Sequence, residues 1–389
     1  MTTFDDPPAF PRGFTCASRN VGLKPDAKDL SLFVSSVDCA AAALFTRNQF
    51  PGAPIILGRE TIKGGVLRAV IVNSKVSNVA TGPAGVVKAH RMAAAAAREI
   101  GTEASRVLVS STGVIGVPLP IDKIERGVVG MAAELQADPM VGAQGIMTTD
   151  THPKVLSTRV GGATITVVAK GAGMIEPDMA TMLAYVFTDA AFDAAALDAM
   201  LRRAVDVSLN MLSVDTDTST SDTCAVLANG LAGPVDPVAF ESTLTACLVR
   251  MAETIARDGE GAEHLIRVVV RGAKDRTDAR TVAKAVVNSP LVKTMVAGAD
   301  PNVGRLLMAV GKCFTATIDQ AATNAWINGH QVVSGGARAA FDDAAVRDAL
   351  THEVVTIEIG LGAGDATATA FGCDLTQGYI AENAAYYST

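Results

Sequence analysis

The stretch KGAGMIEPDMATMLAYVF, Lys170 to Phe187, sets the terms for the rest of the chain. A lysine leads into a glycine-rich turn and a proline, and then into an apolar run, MLAYVF, with the period and length of a buried strand. One hydroxyl, that of Thr181, stands where turn becomes strand. Upstream, VLSTRVGGATITVVAKG reads as a hairpin turning at Gly161-Gly162. A threonine at such a junction is ordinarily a β-former or a turn residue. Here it follows small Ala180 and a loop able to hold the peptide bond before it under strain. A threonine hydroxyl is a poor nucleophile without an adjoining base, and an N-terminal amine on the same residue supplies one. A cut at Ala180–Thr181 would free an amine of reference pKa ~7.7–8.0, suited to proton abstraction near neutrality.

Short strand-like runs and amphipathic helices continue in both directions. VLRAVIVN (Val66–Asn73) and RVLVSS (Arg106–Ser111) read as strands, with an alanine-rich helix around Lys88–Ile100 between them. Helices are expected near Ala194–Leu209, Pro237–Asp258, Asp278–Val287 and Asp342–His352. CAVLANG, LIRVVVRG, VVTIEIGLG and ATATAFG read as strands, and Asn328-Gly329 as a hairpin turn. Strands adjoin one another as often as helices separate them, so the pattern predicts a mixed, layered α+β fold over a uniform βαβ barrel. No repeat or low-complexity linker marks a domain boundary.

Composition narrows the function. The 389 residues are 49% apolar, enough for a large core, and the net charge of −7 argues against a nucleic-acid or anionic-membrane surface. The first thirty residues carry no apolar signal region, and no run of ~18 apolar residues is present, so a soluble cytoplasmic protein is expected. Six cysteines are dispersed without a C-x-x-C pair and read as reduced, buried residues. The five histidines form no metal-binding pair, so no metal is expected. There is no Walker loop and no G-x-S-x-G elbow. DTDTSTSDT (residues 215–223) starts like a calcium loop but has Thr220 at the glycine position and Val226 at the final glutamate position.

KGAGMIEPDMAT resembles the self-cleavage motif of the ornithine acetyltransferase (glutamate N-acetyltransferase) family. The resemblance covers nearly the whole chain. ALFTRNQFPGAPI, SSTGVIGVPLP, IMTTDTHPK, VDTDTSTSDT with LANG, RDGEGAEHLI, VVNSPLVKT, DPNVGR and the tail GCDLTQGYIAENAAYYST follow in family order. It implies a layered α/β sandwich of the ornithine acetyltransferase or DmpA-like type, with a smaller C-terminal α/β subdomain. It also implies a precursor that cuts itself at Ala180–Thr181 into an α chain (1–180) and a β chain (181–389), assembled as an α2β2 heterotetramer. Thr181 then carries acetyl from N-acetylornithine to glutamate in a ping-pong cycle, with no cofactor. The alternatives are a bifunctional enzyme that also uses acetyl-CoA, and an acyltransferase or amidase of a specialised pathway with another substrate.

The resemblance also assigns residues. Thr112 and Gly113 match the oxyanion hole, against a plain strand-end turn. Lys170 and Thr148 match substrate contacts, against a solvated lysine and a capping threonine. Glu260 matches a glutamate near the nucleophile, against a helix-exit carboxylate. Asn383 and Ser388 match substrate contacts in the tail, against a disordered terminus. The chain departs from the family at NSKVSNVATG (residues 73–82), where an asparagine-rich run with glycine at position 75 is usual. It departs again at Thr216, where glycine is frequent, and at Val303, where tryptophan is common. These departures are expected to lie clear of Thr181, Lys170 and the oxyanion pair, so the acyl chemistry should survive, and to bear on the choice of acyl donor and acceptor.

Overall fold

A computed structural model describes residues 2–176 and 182–385. In chain order the elements are β1 (Phe14–Arg19), β2 (Leu30–Phe45), α1 (Ala53–Thr61), β3 (Val66–Asn73), α2 (Gly82–Ile100), β4 (Val107–Ser111), α3 (Ile121–Val128) and α4 (Pro139–Ile146). There follow β5 (Lys154–Val160), β6 (Ala163–Lys170), β7 (Leu183–Ala190), α5 (Ala194–Val207), β8 (Leu212–Ser213), β9 (Thr223–Gly233) and α6 (Pro237–Arg257). The last part holds β10 (Leu265–Ala273), α7 (Arg276–Val287), α8 (Pro290–Ala297), α9 (Gly304–Gly311), β11 (Asn324–Ile327), β12 (His330–Ser334), β13 (Ala337–Arg338), α10 (Asp343–Ala349), β14 (Val354–Gly360), β15 (Ala366–Cys373) and α11 (Gln377–Ala385). The class is α+β, as the pattern predicts, in two compact units.

The first unit takes the described residues of Met1–Gly171, Pro177–Asn210 and Thr218–Met251. Its sheet runs β4-β3-β2-β9-β7-β6-β5, with β1 against β2. Alternation along the strands feeds two cores. Leu30, Leu32 and Val34 of β2 and Ala69 and Ile71 of β3 face α2, whose Ala89, Met92, Ala93 and Ala96 recur at helical spacing. Alanines on that stripe let the helix lie close to the sheet. The opposite face carries Phe33, Val70, Tyr185 and Phe187 under α4. Aromatics are scarce in this chain, yet five gather here. Phe187 lies 5.4 Å from Phe10, 5.2 Å from Phe14 and 5.4 Å from Phe33 between ring centroids, and Phe33 is 5.9 Å from Tyr185.

The β5–β6 hairpin turns at Gly161-Gly162, with Gly161 at φ 58°, and sets Val160 opposite Ala163 and Lys154 opposite Ala169. Lys170, the last residue of β6, pairs antiparallel with Leu183, which in turn pairs parallel with Thr223 at the start of β9. β3 and β4 run parallel and end together at Asn73 and Ser111.

The second unit takes Ala172–Glu176, Met211–Asp217 and the described residues of Ala252–Thr389. Its sheet runs β13-β12-β11-β14-β10-β15-β8. β10 lies parallel to β14 and antiparallel to β15. α7 buries Val282, Ala283 and Val286, and starts where the Asp275 side chain accepts the Asp278 N–H. The β11–β12 hairpin turns at Asn328 and Gly329, both left-handed. All six cysteines are buried and unpaired. Burial pushes the thiols of Cys16, Cys39, Cys224 and Cys247 up to about 12, which makes them inert packing residues. No helix among the described residues is long and apolar enough to cross a membrane.

Truncating Phe187, which is fully buried at the centre of the aromatic cluster, should cost about 3–5 kcal/mol. Urea unfolding of Phe187→Ala measures this. A loss below about 1 kcal/mol would mean that the cavity collapses and the cluster does not hold the sheet.

Candidate active site

In the first unit the sheet delivers three expected residues to one place. β4 ends at Ser111, and the chain then turns through Thr112 and Gly113 against the loop that follows β3. The Thr112 N–H donates to Asn73 O (3.0 Å), the Val114 N–H to Lys75 O (2.9 Å) and the Ser77 N–H to Val114 O (3.1 Å). Gly113 sits at φ +122°, and a Cβ there would come within 2.2 Å of the Lys75 carbonyl carbon. Only glycine fits, on both counts. Its own N–H is engaged by no other described residue. Lys75, at φ 81°, holds the other side of this contact in a strained conformation, so the departure at position 75, expected to lie clear of the oxyanion pair, does touch it.

Lys170 reaches the same place from the end of β6. Its Nζ donates to Thr148 Oγ1 (2.8 Å) and to Thr112 Oγ1 (3.4 Å). It is 7% exposed, so it is not a solvated surface lysine. Thr148 does not act as a cap. Its N–H is itself capped by Asp150 Oδ2 at 2.9 Å, and its hydroxyl faces the ammonium.

Asp150 was not singled out from sequence, yet it organises this region. Its Oδ1 accepts from Lys154 Nζ and from the Gly171 N–H, both at 2.6 Å. The side chains of Asp150 and Lys154 are wholly buried. Burial by itself raises the carboxyl, but the Lys170 and Lys154 ammoniums and the donated hydrogen bonds outweigh it and hold Asp150 down at about 2. The one hint in sequence was the i, i+4 spacing of Asp150 and Lys154 inside IMTTDTHPK. Lys24 joins from the loop after β1, its Nζ donating to Met147 O at 2.7 Å. Burial, with Lys170 and Lys75 adding to it against Asp29 and Asp150, lowers Lys24 to about 8.

Asp222, just before β9, is fully buried, and burial raises its carboxyl well above the ordinary value. Next to it, the Thr223 N–H donates to Met182 O at 2.9 Å, which fixes the first described residue after position 181. Ala180 and Thr181, the expected cleavage site and nucleophile, lie outside the described residues, as does Ser388.

The second unit brings together Glu260 and Asn383. The Glu260 N–H donates to Ala172 O (2.9 Å), and its Oε2 accepts from Asn383 Nδ2 (2.8 Å). Asn383 is held in α11, where the same Nδ2 also donates to Tyr379 O at 3.0 Å. Gly173 is pressed on the Glu260 carboxylate, since a Cβ there would stand 2.2 Å from Oε2. The aspartate that opens the failed calcium loop, Asp215, accepts the N–H groups of Met174 (2.6 Å), Ile175 (2.7 Å) and Asp217 (3.2 Å). It serves as a backbone cap. Burial, outweighing those bonds, raises its carboxyl. Tyr379 is raised as well, by burial and then by the neighbouring Asp215 and Glu260. Among the described residues, Glu263, His264 and Asp374 are grouped at metal-ligand range. Asp374 is already occupied there, accepting the Glu263 and His264 N–H groups (2.9 and 3.1 Å) with His264 Nδ1 at 2.8 Å.

A family model described as the ArgJ family matches residues 15–388. The chain belongs to the ArgJ family. It is 43% identical over 381 residues to the arginine biosynthesis bifunctional protein ArgJ 2 of Clostridium acetobutylicum, covering 97% of each chain. It is also 43% identical over 391 residues to the glutamate N-acetyltransferase Oat2 of Streptomyces clavuligerus, covering 98% of this chain and 99% of that one. A solved structure, the arginine biosynthesis bifunctional protein argJ of Bacillus halodurans, matches at 36% identity and a TM-score of 0.51. That match covers 53% of this chain and all of the solved one. As a member of the ArgJ family the chain is an enzyme, an acyltransferase.

Replacing Asp150 by asparagine takes from the buried Lys154 ammonium the carboxylate it contacts at 2.6 Å, which should cost about 3–5 kcal/mol at neutral pH. The carboxyl is more acidic folded than unfolded, so the stability it confers is present above its ordinary value of 3.8 and is lost as pH falls towards 2. Urea unfolding should therefore show wild type and Asp150→Asn converging across that window. A gap that stays constant would rule out the ionic assignment.

Proposed function

We propose that this ArgJ-family enzyme moves an acetyl group from N2-acetyl-L-ornithine to L-glutamate through an acetyl-Thr181 intermediate, after cutting itself at Ala180–Thr181. The observation that carries this reading is the grouping of Thr112, Gly113, Thr148 and Lys170 at the strand ends, with the Gly113 N–H engaged by no other described residue. In self-cleavage, the Thr181 hydroxyl adds to the Ala180 carbonyl and the C–N bond breaks to give an ester. Water then releases Ala180 as a carboxylate and Thr181 with a free amine. In turnover, that amine takes the hydroxyl proton as Oγ attacks the acetyl carbonyl of the donor. The amide bond breaks, and ornithine leaves with the proton. Glutamate's amine then attacks the ester, the C–O bond breaks, and N-acetylglutamate departs with the Thr181 hydroxyl restored.

Each addition puts negative charge on a carbonyl oxygen, and the Gly113 N–H and Thr112 O–H are the donors assigned to it. Because Thr112 Oγ1 accepts from the Lys170 ammonium, its own proton is left to donate elsewhere. Lys170 is assigned to a substrate carboxylate, Glu260 to a substrate α-amino group or the Thr181 amine, and Thr148 and Asn383 to substrate contacts. Ser388 is assigned by motif alone. The match to the B. halodurans chain supports the cut: the whole of that chain corresponds to 53% of this one, and residues 181–389 likewise make up just over half.

The sheet of the first unit also supports lasting association of the two products. β7 and β9 belong to the 181–389 fragment, and they are inserted between β2 and β6 of the 1–180 fragment. Pulling them out would expose paired edges and both apolar faces. The assembly proposed is α2β2. The word "bifunctional" in the relatives' names favours a second reading, in which acetyl-CoA also serves as donor.

Denaturing electrophoresis should show two fragments, one beginning Thr-Met-Leu-Ala, while Thr181→Ala stays whole and inactive. An uncut, active protein would overturn the mechanism. Incubation with N-acetylornithine and glutamate should yield ornithine and N-acetylglutamate in equal amounts. Replacing the donor by acetyl-CoA and assaying free thiol tests the second reading, and light scattering checks the tetramer.

Thr112→Ala, assayed on material already cut, should lower kcat by about 10²–10³ with little change in KM. Near-normal kcat would return Thr112 to the role of a strand-end residue.

A further inference from the structure

The segment Ala172–Glu176 packs with the second unit, although the chain around it in sequence belongs to the first. Every residue in it is fastened. Ala172 and Gly173 meet Glu260 as described above. Met174 and Ile175 give their N–H groups to the Asp215 carboxylate. Ile175 O accepts from the Val214 N–H at 2.7 Å, and the Glu176 N–H donates to Asp217 O at 3.1 Å. Met174 stands at φ 54°, a conformation that a side chain disfavours and that persists only where the surroundings hold it.

The last link is ionic. The Glu176 carboxylate accepts from Asn288 Nδ2 at both oxygens (2.9 and 2.8 Å), lies 3.0 Å from Lys284 Nζ, and receives the Ser213 hydroxyl at 3.4 Å. These partners are themselves fixed. Lys284 also donates to Leu212 O at 2.9 Å, and Asn288 closes α7 with its N–H on Lys284 O. The amide orientation of Asn288 follows from its partner, since only the nitrogen can face a carboxylate. Charge-assisted bonds of this kind fix direction as well as position. A segment that needed only to pack would not require a carboxylate held from three sides at Glu176.

We propose that Glu176, gripped by Asn288 and Lys284, is a positioning residue for self-cleavage: it fixes the chain on the amino side of the scissile bond, four residues before Ala180. This rests on the self-cleavage reading above. An N-to-O shift proceeds only from a near-attack arrangement of hydroxyl and carbonyl, and pinning one end of a short connection removes most of the unproductive arrangements. The clamp includes none of the residues assigned above to donor or acceptor, so its role ends once the bond is broken.

The test follows cutting and turnover separately on the full chain. Pulse-labelled precursor made by cell-free translation is chased on denaturing gels for wild type, Glu176→Ala, Glu176→Gln and Lys284→Met. Glu176→Ala and Lys284→Met should release the two fragments roughly 10–10²-fold more slowly than wild type. Glu176→Gln, which keeps an acceptor for Asn288, should recover part of the rate. Once fully cut, each variant should turn over N-acetylornithine with the wild-type kcat and KM. Cutting at the wild-type rate in Glu176→Ala would overturn the proposal. So would a parallel fall in cutting, turnover and thermal stability, which marks a purely structural role. If wild type itself is never cut, the self-cleavage reading fails, and the positioning role falls with it.

Discussion

A single buried carboxylate, that of Asp150, is the constraint on which the first unit's site depends. Five groups meet at it or through it: the Lys154 ammonium, the Gly171 and Thr148 N–H groups, the Lys170 charge, and the Thr148 hydroxyl that Lys170 holds. These groups come from the loop before β5, the first residue of β5, the end of β6 and the turn that follows it. A hairpin has its open end where its two strands part, and here that end is tied by charge. Two buried lysines would each be costly alone, and the aspartate makes both tolerable. Its own ionisation is then assured by the same lysines, so each charge depends on the others.

Rigidity extends from there into the backbone around the assigned oxyanion donors. Gly113 and Lys75 are in backbone contact, both with positive φ, and the two loops are cross-linked by short hydrogen bonds. Donors that act on a transition state are effective when no reorganisation is needed at the moment of reaction. A pair of loops locked against each other at the ends of parallel strands meets that requirement better than one flexible turn. The strain at Lys75 is the cost of keeping a side chain where the loop geometry calls for glycine.

Much of this was legible in sequence, and the gaps have physical causes. Strands rich in β-branched residues and aromatics were evident, and Val66–Asn73 coincides with β3. β2 was not seen, because the run Ala40–Ala43 within it carries no period that separates strand from helix. The short helices α1, α3 and α4 give too few turns for a stripe to emerge. Thr112, Thr148 and Lys170 were found through their motifs, but the carboxylate that gathers the last two was not. Its role depends on burial and on partners that adjoin it only after folding. Glu260 and Asn383, 123 residues apart, meet for the same reason. Domain limits were unreadable because the second unit collects three separate stretches of chain, one of them five residues long.

The inserted strands have a consequence for the order of events during folding. β9 must find β2 across nearly two hundred residues of chain, and β7 must then close against β6. The first is a non-local pairing of the slow kind, whose cost in loop closure is borne before any contact repays it. While the chain is whole, the connection between β6 and β7 keeps the two edges near each other at high effective concentration. Two separate chains would have to meet by diffusion, each exposing unpaired strand edges meanwhile. The peptide bond ahead of Thr181 is thus needed while the sheet assembles and dispensable afterwards. In the self-cleavage proposed above, the bond is broken by groups that the finished sheet alone brings together, and that timing is built in.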